Sequence, residues 1–176
     1  MKRGILVSAL LTSLLTGCGL ANSSSDGQDD KMNMQQAADQ ADALLDSTLS
    51  AVKPPVEWTH MATKPRDCST DRMRAVMTVI SKERRGSFLG IVERVWKGKG
   101  YTLRATTPDK SAAYYVSADG FQASIKFGKA GQAFFEITTP CVERSDVSPP
   151  DDNQNGKSYY NQELPDPNVH SDFWSV

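Results

Sequence analysis

The chain has 176 residues, with 20 Lys and Arg against 21 Asp and Glu, a formal charge of −1, and a mean hydropathy of −0.46. That length suits one domain large enough to bury its own core, and the balanced charge gives no electrostatic reason to expect nucleic acid or an anionic membrane surface as a partner.

Lys2 and Arg3 precede an apolar run from Ile5 to Leu15, broken only by Ser and Thr. This is the basic region and short hydrophobic region of a secretory signal, too short for an ordinary membrane span. The run ends in Leu15-Thr16-Gly17-Cys18, the bacterial lipobox pattern, which predicts cleavage before Cys18 and a diacylglyceryl thioether on its sulfur. Residues 1–17 are thus expected to be removed. Two of the 20 cations go with them, so 18 stand against 21 acidic residues, a formal −3. The expected address is the outer face of the cytoplasmic membrane, held there by lipid. Residues 18–31, rich in Ser, Asp, Gly and Gln, read as a flexible tether.

The globular domain is expected over 32–144. Met34, Ala38, Ala41, Leu45, Leu49 and Val52 recur at steps of three and four, an amphipathic helix. Asn33 and Gln36 form its capping box, Asp42 and Asp46 take its polar face, and Pro54-Pro55 stops it. Val56 to Met61 reads as a first strand and Met73 to Ile80 as a second, with turn-rich sequence between. Ser87 is the expected cap of a second helix, with Phe88, Leu89, Val92, Val95 and Trp96 on one stripe and Gly98 and Gly100 at its end. Four strands follow: Tyr101–Thr106, Ala112–Val116, Phe121–Phe127 and Ala133–Thr139. Asp119-Gly120 is a two-residue hairpin signal between the middle pair. The order α-β-β-α-β-β-β-β predicts an α+β fold, an antiparallel sheet of five to six strands with both helices on one face. Residues 145–176, rich in Ser, Pro, Asp and Asn, read as a disordered or loosely attached tail.

With Cys18 lipidated, an exported chain keeps two thiols, Cys68 and Cys141, which are expected to form a disulfide. Catalytic inventory is thin. The two histidines are His60 and His170, and no Gly-x-Ser-x-Gly elbow occurs. No close Cys and His pairs suggest zinc, and no Gly-rich loop precedes a helix as a phosphate cradle. Asp151, Asn153, Asn155 and Gly156 mimic the front of a calcium loop, but Gln162 stands where the bidentate carboxylate belongs. No cofactor and no metal is expected.

Two surfaces remain. If the helices cover one sheet face, the other presents Arg104, Gln122, Lys126 and Glu136, with two cations and a tyrosine (Tyr114 or Tyr115) to hold a ligand or partner strand. Alternatively, a pocket between helices and sheet would be lined by Trp58 and Trp96 and take a small molecule or cell-wall fragment. The sequence reading is therefore a non-catalytic binding or accessory module whose partner is an envelope protein or a small ligand. A carboxylate-based hydrolase ranks last.

Arg85-Gly86-Ser87-Phe88-Leu89-Gly90, Val92-Glu93-Arg94, Trp96-Lys97 with Gly100-Tyr101, Gly120-Phe121, and Gly131-Gln132-Ala133-Phe134-Phe135-Glu136 leading to Thr139-Pro140-Cys141-Val142 together resemble a group of small exported lipoproteins of Streptomyces-type actinobacteria. The resemblance covers residues 38–144 and the lipobox. Its motifs mark helix starts, turns and the second cysteine. It implies a cell-envelope location and carries no activity.

Overall fold

The computed structural model describes residues Lys31–Val176; the signal segment, Cys18 and the tether up to Asp30 lie outside the described residues. Helix α1 spans Met34–Ala51, and its capping box is complete, with Asn33 Oδ1 accepting from Gln36 N–H and Gln36 Oε1 accepting from Asn33 N–H. Strands β1 (Trp58–His60), β2 (Lys64–Pro65) and β3 (Thr70–Val76) follow. Helix α2 runs Lys82–Gly98, and then come β4 (Thr102–Thr106), β5 (Ala112–Val116), β6 (Gln122–Phe127) and β7 (Ala133–Thr138). The sheet is antiparallel, ordered β1-β3-β7-β6-β5-β4, with β2 beside β3. This is the expected α+β fold.

One sheet face carries Tyr115, Ala123, Ile125, Phe127, Ala133, Phe135 and Ile137, all buried in one core with Leu45 and Leu49 of α1 and Phe88, Val92 and Trp96 of α2. Period-two alternation along β6 and β7 puts these side chains on the helix side and Gln122, Lys126 and Glu136 on the other. Trp96 anchors the two helices together: its ring is buried, and its Nε1 donates to Thr48 Oγ1 of α1 at 2.9 Å.

Strand β1 is shorter than the expected Val56–Met61, β2 lies in the stretch read as turn, and three further differences are larger. Helix α2 begins six residues early, capped by Ser81, whose Oγ accepts from Arg84 N–H. Ser87 lies inside the helix. Its first turn, Lys82-Glu83-Arg84-Arg85, has no apolar period to signal a helix but costs little as solvent-facing charge. Strand β3 is shifted to Thr70–Val76 because two arginines point inward from it. The β5–β6 hairpin has a longer loop than the two-residue type: Ser117 pairs with Phe121, and Gly120 alone takes positive φ, +91°.

The larger correction concerns residues 145–176, which are no loose tail. Ser148, Asn153 and Asn155 run along the β1 side, and Asn155 both accepts from Trp58 N–H at 2.7 Å and donates to Val56 O at 2.9 Å. Tyr159 N–H donates to Thr59 Oγ1 on the opposite sheet face. Asn168 and Val169 N–H groups both reach Met77 O, at 3.1 and 3.0 Å. Trp174 then enters the core, where it is buried against the Phe88 ring, with Nε1 donating to Pro54 O at 2.7 Å. The segment is polar in composition because it makes its attachments through backbone and amide groups, with a single aromatic plug. Gly156 allows the close approach this needs; at φ +121°, a Cβ there would lie 2.8 Å from Glu57 Oε2.

Candidate functional site

Cys68 and Cys141 are joined, with Cα atoms 4.7 Å apart, just before β3 and just after β7. Those strands are antiparallel neighbours, so the bridge staples the same end of both.

The two tryptophans proposed to line a pocket do not meet in one. Trp96 is sealed in the core between α1 and the sheet, its ring 5.0 Å from Tyr115 and 6.2 Å from Phe135. Trp58 lies at the far edge beneath Arg74, whose guanidinium sits 4.3 Å from its ring centroid. Trp58 borders only an open surface depression with Asn153 and Asn155. Aromatic bulk at these positions fills the interior.

The feature the sequence hid is a buried ion network between α1 and β3. Arg72 and Arg74 alternate on the helix side of β3 and are 2% and 0% exposed. Arg72 Nε lies 3.0 Å from Asp42 Oδ2, Arg74 Nη2 3.7 Å from Asp42 Oδ1, and Arg74 Nη1 2.5 Å from Asp46 Oδ1. Arg72 also bonds Thr63 and, at 2.8 Å, Ser148 O. Burial pushes the Asp42 carboxyl above its ordinary range against the pull of both guanidinium groups. The available signal was Arg72-Met73-Arg74-Ala75, an alternation whose polar side is the inner one.

His60 joins this network and is buried, with Nε2 3.1 Å from Asn153 Oδ1. Burial first, and then the Arg74 charge, hold its imidazole below the ordinary 6.5; the Asn153 hydrogen bond and Asp46 oppose them more weakly, and the Arg72 charge adds least. The unfolded chain therefore binds this proton more readily than the folded one. Stability from this group is complete above pH 6.5 and is lost as pH falls from there through the lower folded value. His60→Asn is expected to flatten the plot of denaturation midpoint against pH in that window. An unchanged slope would assign the dependence to other groups.

The other sheet face carries the residues singled out from sequence. Arg104, Gln122, Lys126 and Glu136 do come together, with Tyr114 and Ser124, around a depression of ≈ 420 Å³. Lys126 Nζ is 3.2 Å from Glu136 Oε2 and 5.7 Å from the Tyr114 ring centroid. Both expected cations are on this face, and the Lys126 charge is matched by Glu136 across β6 and β7. Arg104 makes no ion pair among the described residues.

A bulge aims Arg104. Leu103 pairs with Tyr115 and Ala105 with Tyr114, which leaves Arg104 as an extra residue in β4. Leu103 consequently borders the helix side while Arg104 borders the depression on the open face. Simple alternation along Tyr101–Thr106, as read from the sequence, puts Leu103 and Ala105 on one face; the bulge separates them.

No protein-family model matches the chain, and neither a curated protein nor a solved structure matches it.

Proposed function

We propose that this chain is a lipid-anchored, non-catalytic binding or accessory module on the outer face of the cytoplasmic membrane, and that its working surface is the open sheet face around Arg104. The lipobox at Leu15-Thr16-Gly17-Cys18 supports the anchor. The observation that carries the surface is a contrast in coverage. The C-terminal segment closes the β1–β3 side of this face, where Thr59, Ala75 and Met77 are buried, reaches Gln132 at the start of β7, and makes no hydrogen bond to β5 or β6 among the described residues. There Tyr114, Gln122 and Lys126 stay exposed, beside an unpaired guanidinium. A partner's carboxylate would meet Arg104 in a charge-assisted, bidentate geometry, and Gln122 and Ser124 add neutral hydrogen-bonding groups.

The test is crosslinking in intact cells with the tagged chain, using Cys18→Ala as the mislocalised control. One partner recovered in near-stoichiometric yield and lost with Cys18→Ala is the expected result. The Arg104→Ala/Lys126→Ala variant should lower that recovery about tenfold, as expected when charge-assisted contacts worth about 1.5–3 kcal/mol are removed, with little change in melting temperature. Recovery of abundant envelope proteins alone would overturn the reading.

A further inference from the structure

The two edges of the sheet are treated differently. At β1, the chain's own Asn155 accepts from the backbone Trp58 N–H, so the start of that edge is occupied. At β4, the last strand in the order, no strand or segment among the described residues pairs with the outer side, and all five residues are exposed. An unpaired edge is a row of backbone donors and acceptors ready to accept a further strand.

On the helix side, over β4 and its neighbour β5, runs a groove of ≈ 200 Å³ bordered by Gly86, Leu89 and Gly90 of α2 and by Leu103 of β4, with Glu93 and Lys110 also on its rim. Gly86 and Gly90 fall one helical turn apart in the interior of α2, where each is less favourable than alanine by about 0.5–1 kcal/mol. Nothing in the domain requires them. Neither has positive φ, a Cβ on Gly86 would meet no atom within 4 Å, and one on Gly90 would meet only the Arg94 side chain at 3.6 Å. The space they keep clear is empty, and Leu103, 39% exposed, faces it.

Resting on the reading of this domain as a binding module, we propose that its partner contributes an extended, alternating apolar and acidic peptide segment that adds as a strand to the free edge of β4. Side chains of an added strand point alternately to the two faces of the sheet. On the helix side they meet the Gly86–Gly90 groove and Leu103, which suits valine or leucine. On the open face they meet Arg104, which suits aspartate or glutamate. A second copy of this chain fits less well, because antiparallel pairing centred on β4 would set two Arg104 guanidinium groups opposite each other.

The experiment uses the full chain and two labelled peptides, one alternating Val and Asp, the other alternating Val and Lys, read by fluorescence anisotropy. The chain is expected to bind the Val/Asp peptide and to discriminate at least tenfold against the Val/Lys peptide. Arg104→Glu should reverse that preference. Gly86→Leu should weaken Val/Asp binding at least tenfold while raising the melting temperature, since leucine is the better helix former and the space is open. Those opposite signs separate a filled groove from a damaged fold. Binding unchanged by Gly86→Leu, or no binding of the Val/Asp peptide, overturns the edge proposal. The in-cell partner gives the separating arm: capture lost with Arg104→Ala/Lys126→Ala but intact with Gly86→Leu leaves the module reading standing and removes this one.

Discussion

Trp174→Ala is expected to cost about 4 kcal/mol of folding stability, a large share of the roughly 5–15 kcal/mol that holds a domain folded. Trp174 is 1% exposed, its ring lies 5.3 Å from Phe88 at a steep angle, and its indole N–H satisfies Pro54 O in the turn after α1. Alanine leaves a cavity among Phe88 and its neighbours, the main penalty, and removes the hydrogen bond to the Pro54 carbonyl in an exposed turn, a smaller one. Phe173→Ala is the control. Phe173 is 39% exposed and covers the Arg84 guanidinium from outside, so its loss should cost less than about 1 kcal/mol. Urea denaturation followed by circular dichroism distinguishes the two. Equal midpoints for the variants would mean that the C-terminal segment does not hold the core in solution.

Reducing the Cys68–Cys141 bridge, or replacing both residues with serine, should lower stability by about 4 kcal/mol. The bridge separates its ends by 73 residues, and releasing so long a loop restores that much chain entropy to the unfolded state. The folded domain should otherwise be little changed, because Val142 N–H donates to Cys68 O at 2.8 Å and Thr139 N–H to Thr70 O at 3.0 Å, holding the same strand ends by backbone bonds. Cys141 is exposed, so a mild reductant reaches the bridge without prior unfolding. The check is the urea midpoint with and without reductant; a shift of less than about 1 kcal/mol would place the unfolded chain already compact around these strand ends.

What could be read in advance follows from which elements carry their own signal. The α1 cap at Asn33 and Gln36, the inward alternation of β6 and β7, and the paired cysteines each depend on local pattern or on simple elimination, and each is found. The face holding Arg104, Gln122, Lys126 and Glu136 follows from the same alternation, carried across strands that pair in register. Where inward groups are charged, the pattern inverts. Arg72 and Arg74 read as a solvent side, although both are buried and reach out to Asp42 and Asp46 at the partly exposed border of α1. Composition failed for residues 145–176 for a related reason. Backbone-to-backbone attachment leaves almost no trace in residue type, and one tryptophan among more than twenty polar residues is a faint cue. The Arg104 bulge has no sequence mark at all, since neither neighbour is glycine.

The wrapping of the C-terminal segment also sets an order of events. A chain delivered amino end first, from a ribosome or through a membrane, can pair β6 with β7 and dock α1 on α2 early, but Phe88 and Pro54 O lack their partner until Trp174 emerges. Until Asn155 arrives, the start of the β1 edge also stays bare. Closure of the core around Phe88 thereby waits for delivery of the chain through Trp174. The contact that closes this end of the core is therefore made only after every helix and strand of the domain has been delivered.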